Sequence, residues 1–264
     1  AVDADKNEII AFSDANTIFE KDGLKKLVRN FGDERVGCVC GLLKFISVKG
    51  STSGELEGAY WRYETMLKKI EGARGSLLGA NGAIFALRKN LFFKCPEDTI
   101  VEDFVVPMKI LEKGYKVIYE PEAIAVEDAA KHIIQEKQRR IRIGAGDFQA
   151  LAMFTGMLNP KKGFVALSFW SHKVLRWFVW SFMAAAFISN ALLLNEPFYV
   201  VTFIAQVTFY MCAITGQMLS WVGIPIKFFN LCYYFVSMNL ALFLGFINFI
   251  SGRHTVKWDR TERE

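Results

Sequence analysis

Between Trp177 and Gly252 this chain carries only two charged side chains, Glu196 and Lys227. Burying a charge in hydrocarbon is costly, so a silence this long marks a membrane region. Asn195-Glu196-Pro197 and Gly223-Ile224-Pro225-Ile226-Lys227 divide it into three apolar stretches, residues 177–194, 198–222 and 228–250. A span needs about 20 apolar residues, so the last two qualify and the first does so marginally. Buried helices of a soluble domain would show a polar face, and these show none.

Charge divides the rest of the chain. Residues 1–160 hold 23 Lys+Arg against 23 Asp+Glu, and residues 161–264 hold 9 against 4, so the whole surplus of +5 lies in the apolar part. The natural boundary is Asn159-Pro160-Lys161-Lys162-Gly163. It separates an α/β domain over 1–160 from an interfacial helix, two or three membrane helices and a basic tail over 161–264. The interfacial helix is 164–176, where Phe169, Trp170 and Leu175 mix with Ser171, His172, Lys173 and Arg176. Lys161, Lys162, Lys173 and Arg176 put the side before the first span in the cytoplasm. Three crossings would carry the basic tail 253–260 outside, against the same rule. Two crossings plus an interfacial or re-entrant segment would not, and both arrangements stay open.

Five cysteines and three histidines are too scattered for a zinc site or a disulfide framework, which fits a reducing cytosol. Cys38 and Cys40 share one face of a strand and read as small core residues. The amino terminus has no basic n-region or apolar h-region, and Ala1-Val2-Asp3-Ala4-Asp5 reads as the end of a helix feeding a strand, as if the chain opened in mid-domain.

The polar part alternates strands and helices, the pattern of an α/β sheet with some parallel pairing. Strands are expected at 8–12, 36–45, 82–87 and 115–119, the last closed by Pro121, with a further short extended piece ending at Asp128. The first is expected to be buried and parallel, delivering Ser13-Asp14 at its carboxyl end. Helices are expected at 21–31, 55–71, 104–112 and 131–151, and a loop at 49–54.

Four short segments carry chemistry. In Ser13-Asp14-Ala15-Asn16 the i, i+2 spacing lets two oxygen-bearing side chains point to one side, able to hold a divalent metal that neutralises a leaving diphosphate. An ordinary turn has the same composition. In Gly79-Ala80-Asn81-Gly82-Ala83 the small residues let a substrate approach the backbone, with Asn81 free to bond sugar hydroxyls; a plain glycine turn fits as well. Glu102-Asp103 sits between a strand-like run and a helix, where a carboxylate can act as a general base or merely as an N-cap. Arg139 and Arg142 share a helix face and suit diphosphate oxygens, or else form a solvated or lipid-facing basic stripe.

Taken in order and followed by apolar spans, Ser13-Asp14-Ala15-Asn16-Thr17, the segment 79–88, Val101-Glu102-Asp103 and the segment 139–146 resemble the family 2 glycosyltransferases. The likeness is greatest to the membrane-bound branch that includes cellulose, chitin, hyaluronan and poly-N-acetylglucosamine synthases. That resemblance implies a partial GT-A fold followed by a helical transmembrane region, and an inverting transfer from a nucleotide-sugar, a UDP-sugar, to a growing polysaccharide, glycan or lipid-linked acceptor. It implies Mg2+ or Mn2+ as cofactor. Asp14 would bind metal and diphosphate, with Asn16 where many members have a second Asp; Asp103 would be the base and Glu102 its neighbour. Gly79, Asn81 and Gly82 would lie near the acceptor. The implied location is the plasma membrane, multi-pass, with the catalytic part in the cytoplasm; the bilayer is a partner and nucleic acid is not.

Two departures matter. Processive members carry Gln-(Gln/Arg)-x-Arg-Trp, and the register that keeps Gly146 gives Arg139-Arg140-Ile141-Arg142-Ile143, so the stacking Trp is Ile143. The family's first strands, which grip uracil and ribose, would precede Ala1. Alternatives are therefore transfer of one sugar to a lipid carrier, an inactive fragment or pseudoenzyme, and, from another class, a channel or transporter subunit.

Overall fold

A computed structural model describes residues 7–46, 52–128, 133–224 and 226–253. The expectations for Ala1–Asp5, for most of the 49–54 loop and for the basic tail beyond Arg253 fall outside them; the helix expected after that loop already begins at Thr52.

Among the described residues five strands form one mixed sheet in the order β1-β4-β3-β5-β2. They are β1 (Ile9–Phe12), β2 (Ile18–Phe19), β3 (Val36–Ile46), β4 (Phe85–Arg88) and β5 (Lys116–Asp128). Only β3 and β5 pair in parallel. β1 pairs antiparallel with β4 and is only partly buried, so the expected buried parallel strand is a half-covered one at the end of the sheet. It still delivers Ser13-Asp14 at its carboxyl end.

The helices of this part are α1 (Gly23–Val28), α2 (Thr52–Ala73), α3 (Glu102–Glu112) and α4 (Ile133–Met153). Gly114, at φ +86°, ends the turn after α3 in a conformation glycine alone adopts cheaply. The two strand pieces expected around Pro121 are one strand. The register with β3 jumps between Gly41 and Leu42, so Pro121 falls in the bulge where no ladder hydrogen bond is lost. A second irregularity, between Val36 and Cys38, puts Val36 and Val39 on one face of β3 and Cys38 and Cys40 on the other. The cysteines are fully buried and unpaired, as core residues should be. One sheet face packs on α1 through Leu27 and on the 3-10 turn that follows it through Phe31. The other packs on α3 and α4 through Met108, Ile110 and Phe148, with Phe154 just past the end of α4, and that is the larger core.

A helix runs over Phe164–Trp177, here the linker helix, with a π-helical stretch over Phe169–Val174. It bends by 58° into the short apolar helix Val179–Leu192. At about 1.5 Å per residue that helix alone is too short to cross a bilayer. Two helices, Pro197–Trp221 and Lys227–Ile250, are long and apolar enough, and the bent pair would make a third only if counted as one span.

α4 lies along the second long helix. A Cβ on Gly245 would come within 2.7 Å of the Ala145 amide nitrogen and 2.8 Å of the Ile141 carbonyl oxygen, so only glycine lets the two backbones touch. The helix that carries Arg139 and Arg142 is thereby seated directly on a candidate membrane span.

Candidate active site

After β1 the chain turns back on itself, with the Thr17 amide donating to the Asp14 carbonyl at 3.2 Å and the Ser13 hydroxyl to the same oxygen at 3.1 Å. The turn uses the backbone of Asp14 and leaves its carboxylate without a hydrogen-bond partner among the described residues. The segment is thus a turn, and the Asp14 side chain is exposed beside it.

Asp103 is in the first turn of α3, whose N-cap is Val101 with no side-chain cap bond, so it is not a capping residue. Its carbonyl accepts the Ala80 amide at 2.8 Å, tying α3 to the glycine-rich loop. Gly82 marks where the two acids meet. A Cβ there would lie 3.9 Å from Asp14 Oδ2 and 4.0 Å from Asp103 Oδ2, so the two oxygens cannot be farther apart than the sum of those distances. Burial pushes the Asp103 carboxyl up, Lys68 and Lys173 oppose the shift, and the Asp14 charge adds to it. Two like charges at one opening make a cleft that attracts a cation or holds a proton.

Asn81 is less free than its sequence context suggests. Its side-chain oxygen accepts from the Lys68 ammonium, its amide nitrogen donates to the Gly41 carbonyl at 3.1 Å, and its backbone N–H points to Cys40 Sγ at 3.1 Å. Both side-chain heteroatoms thus have protein partners, although Asn81, like Gly79 and Gly82, is partly exposed. Gly79 packs against α3, where a Cβ would sit 3.1 Å from the Phe104 ring.

Glu102 is not brought into the cleft. It is exposed, and after burial its charge is the second cause that pushes the Cys95 thiol up to about 11. Successive residues of a helix diverge by about a quarter turn, so adjacency to Asp103 does not give a shared direction. Asn16 is exposed, and its amide nitrogen donates to Glu127 on β5. Arg142 is half-buried; burial and Arg139 lower its pKa while Asp103 raises it, which places it within electrostatic reach of the cleft. Arg139 is exposed on the same helix. Arg140 instead lies over the Tyr234 ring of the second long helix, 5.1 Å from its centroid, and Ile143 packs against the core.

A divalent ion shared with a diphosphate needs one or two protein carboxylates, the remaining ligands being phosphate and water. Asp14, exposed and without a hydrogen-bond partner on its carboxylate among the described residues, can supply one such ligand. Among the described residues no group of three or more His, Cys, Asp or Glu could hold an ion by itself.

Sequence reasoning missed the polar seam beside the cleft. Glu64 on α2 faces His172 Nε2 at 3.2 Å, Lys173 at 3.4 Å and Arg176 at 3.0 Å, and Glu71 faces His172 Nδ1 at 2.6 Å. Burial alone would raise the Glu64 carboxyl, but Lys173, His172 and Arg176 hold it well below the usual carboxylate range. Asp147 on α4 feels Lys173 and Arg176 as well, yet burial prevails there and pushes its carboxyl up to about 7. The available signal was Glu64, Lys68 and Glu71 at i, i+4 and i+7, one helix face.

A protein-family model described as "Glycosyl transferase family group 2" matches residues 9–248. No curated protein matches the chain. Among solved structures, the mannosyltransferase PcManGT from Pyrobaculum calidifontis, in complex with GDP-Man and Mn2+, superposes with a TM-score of 0.57 at 17% sequence identity. The match covers 96% of this chain and 65% of that one, and at such identity it speaks for the fold, which is the GT-A architecture expected.

Proposed function

Because the chain belongs to glycosyl transferase family group 2, we propose that it moves a sugar from a nucleotide-sugar donor to a hydroxyl of a glycan or lipid-linked acceptor, with inversion, at a bilayer surface. The observation that carries this reading is the meeting of the Asp14 and Asp103 carboxylates around Gly82. Asp103 takes the proton of the attacking hydroxyl. Its burial beside a like charge makes it a stronger base than a free aspartate. Arg142, with Arg139 farther out, faces the diphosphate oxygens. The absence of a side chain at Gly82 leaves room for the sugar between the two acids. Asp14 and the Asn16 amide oxygen would hold Mg2+ or Mn2+, which when bound would supply charge neutralisation for the departing diphosphate. PcManGT was solved with GDP-Man and Mn2+, which supports this class of donor and ion; the choice between a UDP- and a GDP-sugar is an experimental one.

The apolar helices Pro197–Trp221 and Lys227–Ile250 support attachment to the membrane. The lysines and arginines before them support a cytoplasmic cleft. Between a polysaccharide and a single product, Ile143 favours transfer of one sugar to a lipid carrier. It packs into the core where processive members have a stacking Trp. Labelled donor and product sizing distinguish a ladder from one lipid-linked species.

The test of the chemistry is Asp103→Asn. Transfer falls by about 10²–10⁴-fold while donor binding is kept, as loss of a general base requires. Near-normal turnover would remove Asp103 from the mechanism.

A further inference from the structure

The polar stripe of α2 does more than bury charge. Its three members sit on one helix face and reach two different partners. Glu64 holds His172, Lys173 and Arg176 of the linker helix. Lys68, one turn on, donates to Asn81 of the glycine loop. Glu71, the next turn, holds His172 with one carboxylate oxygen and receives the Leu78 amide, at the entry to that loop, on the other at 3.5 Å. A second bridge runs in parallel. Phe104, the neighbour of Asp103, meets Phe169 and Trp177 of the linker helix at 6.0 and 5.8 Å between centroids. Glu64, Glu71 and His172 are all buried, and a buried polar group left without its partner destabilises strongly.

We propose that Glu64, Lys68 and Glu71 are positioning residues for the transfer reaction: they bind the linker helix and the 79–82 loop into one rigid frame, so that the membrane-proximal helix and the cleft move together. This rests on the reading of the cleft as a glycosyltransferase site. A stripe that merely stabilised the linker helix would leave the loop indifferent to Glu64, which among the described residues makes no hydrogen bond or ion pair to it.

The test uses the full chain in lipid nanodiscs, with hydrogen exchange read by mass spectrometry and transfer assayed with Mn2+ and UDP-glucose, UDP-N-acetylglucosamine and GDP-mannose. In Glu64→Gln, exchange rises over 164–177 and also over 77–84, the second by about tenfold, the scale of a modest local opening. Lys68→Met loosens 77–84 and lowers kcat by about tenfold at unchanged donor KM, whereas Lys68→Arg keeps both at the wild-type level. Exchange over 77–84 that stays at the wild-type rate in Glu64→Gln, or full turnover in Lys68→Met, overturns the proposal. Should Glu64→Gln not fold, the Lys68 pair decides alone. If the wild type uses none of the three donors, the functional reading fails separately, and the exchange data still decide whether helix and loop share a frame.

Discussion

The cleft and the seam beside it draw on the same residue types and use them in opposite ways. In the seam, Glu64 and Glu71 each face basic groups at hydrogen-bond or ion-pair distance, and their burial is tolerable because of it. In the cleft, Asp14 and Asp103 point at one opening past a residue with no side chain, and among the described residues neither carboxylate is held by an ion pair. One region consumes its charges in holding the fold together. The other leaves them available to a ligand.

That contrast predicts where each kind of substitution is felt. The largest effect belongs to the cleft: Asp14→Ala lowers transfer by about 10²–10³-fold and raises the Mn2+ concentration needed, with the melting temperature unchanged because its carboxylate supports no packing. A matching loss of stability would mean that Asp14 is structural after all. Next comes the seam, where Glu64→Gln costs about 3 kcal/mol of unfolding free energy in denaturant titration. The sign of its pH dependence follows from the depressed carboxyl. The Glu64 contribution is full above the ordinary glutamate pKa of about 4.3 and is lost as pH falls below it. The wild type therefore loses stability over that acid range more steeply than Glu64→Gln, and parallel curves would contradict the buried ion cluster. Smallest in stability is Gly82→Ala, within about 0.5 kcal/mol, since its methyl would make ordinary contacts. The same methyl occupies the space between the acids, so transfer drops while folding does not.

How much of this could be read from the chain follows from the same contrast. Asp14, the 79–82 loop and Asp103 each end or begin a regular element, and such junctions have local signatures: a turn residue, a run of glycine, a carboxylate ahead of an apolar helix face. The apolar helices were equally plain because charge is expelled from them over long stretches. β5 was misread as two pieces because Pro121 breaks a strand pattern, and only the partner strand shows that it falls in a bulge. Glu102 stands beside Asp103 in the motif that the family resemblance supplies, and neighbours in a helix do not share a direction. Asn81 was read as a free side chain because its partners, Lys68 and Gly41, are distant in sequence. The stripe of Glu64, Lys68 and Glu71 has the spacing of any solvated helix face. It becomes a seam only because His172, Lys173 and Arg176, some hundred residues later, fold back onto it.

The central claim is that one donor molecule touches both acids. A cryo-electron microscopy structure of the full chain in nanodiscs with Mn2+ and the nucleotide-sugar it turns over tests this directly. The account predicts the diphosphate and its ion against Asp14, with the transferred sugar over Gly82 and Asp103 facing its anomeric carbon. A donor bound elsewhere, or one that meets Asp14 while Asp103 stays walled off from the sugar, contradicts it.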